Sequence, residues 1–237
     1  MPYAPFGAHD DHFGILAIVN GGDTIADCLT LISAPKNNIA KSSVYAQDEN
    51  GDNAALTVYG APTTMFEASN VFHVTSGSFN LNLLKVGFVA SGKAITSIDV
   101  KTSNGGWPEI TVTGRLGCID PATLKTYTLP DITITGKKAA QPIGFTVTAG
   151  CKLTGSGLTA SVDFAEVTNG EGVPVAHDVS GGTLSGSGDF VAVTATPAWA
   201  VTLSGATATK APGNEGPQAA YDTGSGSWEK MLAVDVA

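Results

Sequence analysis

The sequence predicts an all-β protein: an antiparallel β-sandwich or barrel with extended N- and C-terminal arms and at most one or two short helices. Three observations carry this expectation. Apolar and polar residues alternate with a period of two along most of the chain, turn residues interrupt the alternation at short intervals, and helical spacing is scarce.

Taken in order, the first candidate element is the exception. Asp23 is suited to cap a helix, and Ile25, Cys28, Leu29 and Ile32 fall at i, i+3, i+4 and i+7, which predicts a helix over 23–32. Ser42–Gln47 and Ala55–Tyr59 then flank DENGDN, whose Asn50-Gly51 suits the two positive-φ positions of a type I′ turn. Ala94–Thr102 and Glu109–Leu116 flank SNGGWP as a second hairpin, with Ile95, Ile98 and Val100 set against Ile110 and Val112. Further strands are expected at 132–135, 144–149, 158–167, 183–193 and 200–203, a spacing typical of sandwiches and barrels. One element recurs: Pro108 to Gly114 and Pro130 to Gly136 both read proline, acid, Ile, Thr, aliphatic, Thr, Gly. Proline cannot donate to a ladder, so each copy should begin at a sheet edge or at its strand's first residue.

The whole chain, 1–237, reads as one structural domain with arms at about 1–14 and 210–237. Both arms are rich in Pro and Gly yet keep aromatic residues, Tyr3, Phe6 and Phe13 at one end and Tyr221 and Trp228 at the other. A free linker usually lacks such residues, so these five are the expected interface side chains.

Motifs that would carry chemistry dissolve on inspection. Gly155-Ser-Gly157-Leu-Thr-Ala160 fits a dinucleotide fingerprint, but such a site needs a helix after the glycines, and the alternation from Leu158 to Ala165 is that of a strand. The glycines are expected to form a turn. His9-Asp10-Asp11-His12 is the strongest metal candidate, yet Pro2, Pro5 and Gly7 disfavour the helical turn that would bring both imidazoles to one ion. Asp48, Asn50 and Asp52 imitate a calcium loop that then lacks its glycine and its closing glutamate. His73 and His177 stand in no triad or metalloprotease spacing, and the neighbours His177 and Asp178 would point to opposite faces of a strand. No catalytic residue, metal ligand or cofactor is expected, and the chain is not read as an enzyme.

Charged residues make up only 14% of the chain and hydrophobic ones 43%, so much of the surface is Gly, Ser, Thr, Asn and Ala. Such a surface lets other backbones approach closely. The net charge is −9 and Arg115 is the only arginine, which argues against specific binding of nucleic acid. Charge is unevenly spread: −5 over 1–60, +3 over 61–160 and −7 over 161–237, a pattern suited to complementary patches between copies. Cys28, Cys118 and Cys151 are odd in number and far apart, and are expected as buried free thiols. The opening residues have no basic segment, and their longest apolar run, Phe13–Val19, is too short for an export signal or a membrane span.

This combination resembles bacteriophage virion β proteins, particularly tail-tube subunits. The resemblance rests on the signal-less start, the β alternation, Ser/Thr/Gly/Ala-rich strands such as GGTLSGSGDFVAVTAT, and the arms at both ends. It implies rings of subunits whose inner sheets join into a barrel, and arms or loops that lock successive rings. An acidic lumen would then let DNA slide past. The expected function is that of a self-assembling virion structural protein, assembled in the host cytoplasm, with copies of itself and other virion proteins as partners and no membrane. A capsid decoration or head-fibre protein is the alternative within the virion. The rival class is a carbohydrate-binding module or glycan-active enzyme, with Trp107, Trp199 or Trp228 as sugar platforms.

Overall fold

Segments of alternating residues become strands, including several that the pattern alone did not single out. The computed structural model describes residues 28–31, 36–39, 42–47, 53–59, 66–170, 174–193, 198–218 and 221–236. In chain order the strands are β1 (Leu29–Leu31), β2 (Lys36–Ile39), β3 (Ser42–Gln47), β4 (Asn53–Tyr59), β5 (Phe66–Val74), β6 (Ser78–Asn80), β7 (Lys85–Ala90), β8 (Lys93–Ser103) and β9 (Glu109–Leu116). They continue with β10 (Lys125–Thr128), β11 (Thr133–Thr135), β12 (Phe145–Val147), β13 (Cys151–Thr168), β14 (Pro174–Ala192), β15 (Trp199–Val201), β16 (Thr207–Gln218), β17 (Tyr221–Met231) and β18 (Asp235–Val236). A 3-10 turn at Leu81–Leu83 is the only helical element among the described residues.

Twelve strands form one antiparallel sheet whose main path runs β1-β5-β9-β8-β13-β14-β17-β16. β2 shares β5's outer edge with β1. The first strand of β8's other edge is β7, at 94–95 and 93, before β13 takes over from Ser97 to Ser103. β7 pairs with β10 and β10 with β18, which follows β17 after only Leu232, Ala233 and Val234. The strands β8, β13, β14, β17, β18, β10 and β7 therefore trace a ring that is barrel-like, while β9, β5 and the edge strands extend from it as a sheet. The pairs β6–β11 and β12–β15 lie outside this sheet, and their Phe79, Ile134 and Phe145 join the same buried core as Ile98, Val112 and Leu158.

Register explains why one face is buried. In β8 and β9 the facing pairs Ile98 with Val112 and Val100 with Ile110 all point inward, as the hairpin reading expects, and each is at most 1% exposed. The recurring proline element yields two strands in different sheets, β9 and β11, each beginning after its proline. Its closing glycine has the same purpose twice: a Cβ on Gly114 would lie 2.5 Å from the Ala94 carbonyl oxygen, and one on Gly136 would lie 2.5 Å from the Ser76 nitrogen. The β3–β4 hairpin also forms as expected; its DENGDN connection lies mainly outside the described residues.

Three expectations change. Leu29–Leu31 is a strand paired with Phe72–Val74, not the end of a helix over 23–32, because pairing with β5 buries Leu29 where a helix would leave it without that partner. Residues 23–27 and 32 lie outside the described residues. Gly155-Ser156-Gly157 is no turn: it sits inside β13, paired with Ser103–Lys101 on one side and Asp189–Ser187 on the other. The segment from 210 onward is not a loose arm, since β16 and β17 pair with each other and β17 pairs along β14 from Thr183 to Ala192.

β13 and β14 outlast their neighbours. β8 leaves β13 at Ser161, and β17 leaves β14 at Thr183, so 162–168 and 174–182 continue as a two-stranded ribbon. At that point Gly181 and Gly182 face Val162 alone, a bulge with Gly181 at φ 63°. Bulges bend the strand that carries them, and here the bend lets the Tyr127 ring of β10 lie flat against Gly182, where a Cβ would come within 2.3 Å.

Candidate functional site

The residues that face away from the core define the most distinctive surface of the molecule. Alternation along six neighbouring strands sends Ser69 of β5, Thr111 and Thr113 of β9, Ser97 and Ser103 of β8, Thr159 and Ser161 of β13, Thr183, Ser185 and Ser187 of β14, and Thr223, Ser225 and Ser227 of β17 to one side. Their hydroxyls bond across strands. Thr159 Oγ1 donates to Asp99 Oδ1 at 2.6 Å, Ser161 and Thr183 share a bond of 3.0 Å, and Thr113 Oγ1 donates to Ser69 Oγ at 3.3 Å. Cross-strand hydroxyl pairs of this kind hold a polar sheet face in register without apolar side chains.

Charge on this face is sparse and mostly negative. Glu67, Asp99, Glu109, Asp189 and Glu229 stand against Lys101, Arg115 and, from β16, Lys210, whose Nζ donates to Ser225 Oγ at 2.7 Å, an excess of two negative charges. Arg115 is already engaged: its guanidinium donates to Glu67 Oε1 at 3.1 Å and its Cζ lies 4.7 Å from the centre of the Phe164 ring. An open trough of about 430 Å³ crosses the face, floored by Gly157 and Gly186 and walled by Asp99, Lys101, Ser185, Ser187, Thr209 and Glu229. Trp228 also lines it but is fully buried, so the exposed part of the wall is made of hydroxyls, carboxylates and Lys101.

Beneath the face, β14 and β17 bury glycines where other strands bury side chains. Gly186 and Gly188 of β14 and Gly226 of β17 point inward, and a Cβ on any of them would lie 2.3 Å from a ring: Trp228 at Gly186, Phe145 at Gly188 and Trp199 at Gly226. The motif Gly-Ser-Gly-Ser thus places glycine under an aromatic ring and serine on the outer face in a single period. In β13 the phase is reversed. Ser156 points inward, shares a 2.7 Å bond with Thr102 Oγ1 and donates to the Gln141 carbonyl at 2.6 Å, while Gly155 and Gly157 face out.

Of the five aromatic residues expected at an interface, Trp228 lies elsewhere. It is fully buried, paired opposite Gly186, because the glycine leaves room for the indole on the chain's own sheet. The backbone of Tyr221 pairs with Gln218 at the β16–β17 connection, and its side chain is outside the described residues. Tyr3, Phe6 and Phe13 are also outside them, as is the His9–His12 cluster. Among the described residues no group of three His, Cys, Asp or Glu side chains could hold a metal ion, and no helix is long and apolar enough to cross a membrane.

The remaining histidines have structural partners. His177 is 1% exposed; its backbone N–H donates to the Ile119 carbonyl at 2.8 Å, its Nδ1 accepts from the Ile119 N–H at 2.8 Å, and its ring stacks on Phe164 at 5.2 Å. Asp178 instead takes both 3.0 Å bonds from Lys125 Nζ, so the adjacent pair serves two different contacts. His73 Nε2 lies 3.8 Å from Glu109 Oε2 at the outer face. Cys28 and Cys118 are buried, Cys151 is partly buried, and none of the three is disulfide-bonded.

The sheet's two ends remain to be placed. Among the described residues β16 terminates the strand order on one side, and β1 and β2 terminate it on the other. A scan against protein-family models finds no match to the chain, and a search of curated proteins finds no similar sequence.

Proposed function

We propose that the chain is a non-enzymatic virion structural subunit that assembles with copies of itself, as a phage tail-tube protein whose subunits join edge to edge into rings. The observation that carries this reading is the combination of a six-strand hydroxylated face with a terminal strand at each end of the sheet, β16 on one side and β1 with β2 on the other. An edge strand presents unpaired N–H and C=O groups, which are satisfied at least cost by another strand. Joining β16 of one copy to β1 and β2 of the next continues the sheet, and a sheet that twists and closes returns on itself as a ring.

Such a ring would turn the serine, threonine and glycine side chains toward its lumen. The excess of carboxylates there repels a phosphate backbone, and the short hydroxyls give it few fixed cations to bind. The carbohydrate reading loses support from the same geometry, since Trp199 and Trp228 are seated on Gly226 and Gly186 rather than presented as platforms. Negative-stain microscopy of the purified protein tests the proposal: rings or tubes are the expected result, and a monomer that persists at high concentration overturns it.

A further inference from the structure

The two ends of β13 carry opposite charge. At its start, the β8–β9 turn, the 137–140 segment and Leu153 are tied together: the Gly105 N–H donates to the Lys138 carbonyl at 3.1 Å, and the Asn104 side chain donates to the Leu153 carbonyl at 3.0 Å and accepts from the Ala140 N–H at 3.1 Å. This gathers Lys101, Lys137, Lys138 and Lys152, all exposed, at one end of the sheet. Lys138 Nζ sits 5.0 Å above the Trp107 ring. The carboxylates described at this end are Glu109, opposite Lys101 in register, and Asp189, opposite Gly155.

The other end is the ribbon. Over 162–170 and 174–182 the ribbon has Asp163, Glu166 and Asp178 and no lysine or arginine. At its base Lys125 pairs with the ribbon's own Asp178 and Arg115 with Glu67, while Glu166 Oε2 lies 3.6 Å from His177 Nε2, so Asp163 and Glu166 are the ribbon carboxylates without a lysine or arginine partner among the described residues. Val167 and Val175 are 44% and 49% exposed on the same ribbon, an apolar surface without a partner in the described chain. From Gly155 to Thr168 an extended strand spans roughly 40 Å, so a single copy cannot bring its ribbon to its own lysines.

We infer that the ribbon of one copy docks on the lysine end of a copy in the next ring. The inference rests on the tail-tube reading and adds to it the polarity of stacking: acidic ribbon against Lys101, Lys137, Lys138 and Lys152, with Val167 and Val175 supplying the apolar part of the contact. Because the two patches differ and lie at opposite ends, the contact is heterologous and propagates into a tube rather than closing as a dimer.

The test reverses charge at each end and then at both. Asp163→Lys with Glu166→Lys, or Lys137→Glu with Lys138→Glu, is expected to leave rings by negative-stain microscopy but abolish their stacking into tubes. A chain carrying all four changes restores opposite charges across the contact and is expected to regain tubes. Wild-type tubes should also fall apart into rings as salt rises from low to several hundred millimolar, since screening over about 10 Å or less removes attraction between exposed charges; this arm needs no substitution and decides the matter where a variant does not fold. Tubes insensitive to both reversals and to salt overturn the docking and leave the ring-forming reading intact. A wild-type chain that forms no rings overturns both.

Discussion

The two halves of the main sheet bury their interior in opposite ways. In β5, β9 and β8 the inward positions are filled by their own side chains, Phe72 and Val74, Ile110 and Val112, Ile98 and Val100. In β14 and β17 many inward positions are glycine, and the space is filled by rings from Phe145, Trp199 and Trp228 lying on the bare backbone. In the first half packing is distributed over many small contacts. In the second it is concentrated in a few rings whose seats tolerate no added atom.

Substitution at those seats should therefore have the largest effects. Gly186→Val places a Cβ where the Trp228 ring already lies and forces a displacement of the indole, and Trp228→Ala empties the same site. Each is expected to cost about 3–5 kcal/mol or to prevent folding, read as the urea midpoint of the circular dichroism signal. By contrast, Ile98→Val in the other half removes one methylene and should cost only about 0.5–1.5 kcal/mol. Equal losses at Gly186 and Ile98 would break the comparison.

This contrast also decides what could be read beforehand. Where side chains fill the core, alternation is visible in the letters, and the β8–β9 hairpin and its facing isoleucines and valines were legible to within a residue or two. Where glycine takes the inward position, hydropathy shows nothing: the same Gly-Ser-Gly letters form an inward-glycine strand in β14 and an inward-serine strand in β13, and only register separates them. For that reason the letters place Trp228 on a partner surface, since its neighbours Gly224 and Gly226 look like linker rather than the seat of a ring. β16, with two prolines and three register shifts, has no alternation to find. The hydroxylated face was present as composition, but the neighbours that make it one surface are strands distant in sequence. The lysine end and the acidic ribbon were foreshadowed by the uneven charge along the chain, without their placement.

The side-chain-packed half should be the more sensitive to alkali. Cys118 follows β9 and is 6% exposed; its backbone N–H donates to the Gly92 carbonyl at 3.0 Å. Burial pushes its thiol up from 9.0 to about 11, with Arg115 acting in the opposite, weaker sense. A thiol whose pKa is higher in the folded chain binds its proton more tightly there, so its contribution to stability is complete below pH 9.0 and is lost as pH rises to about 11. That loss should be on the order of 2 kcal/mol, and a Cys118→Ala chain should lack this component of the alkaline decline in the urea midpoint. An identical decline in both chains would remove Cys118 as its source.

The smallest expected effect concerns the one position where the side-chain-packed half departs from its own rule. Asn70 is fully buried on β5, opposite Val112 in register, and neither its Oδ1 nor its Nδ2 has a hydrogen-bond partner among the described residues, whereas the buried Thr102 and Ser156 between the two halves bond to each other and to the Gln141 backbone. A buried amide without partners carries its full desolvation penalty, and neighbours on the same face such as Phe72 offer it dispersion but no polar contact. Leucine has a similar size and no group to satisfy, so Asn70→Leu should raise stability by about 1 kcal/mol, seen as a higher urea midpoint with an unchanged slope. A fall of similar size would mean that the amide is satisfied in solution by an ordered water. The half built from side chains would then contain a polar element as specific as the glycine seats of the other.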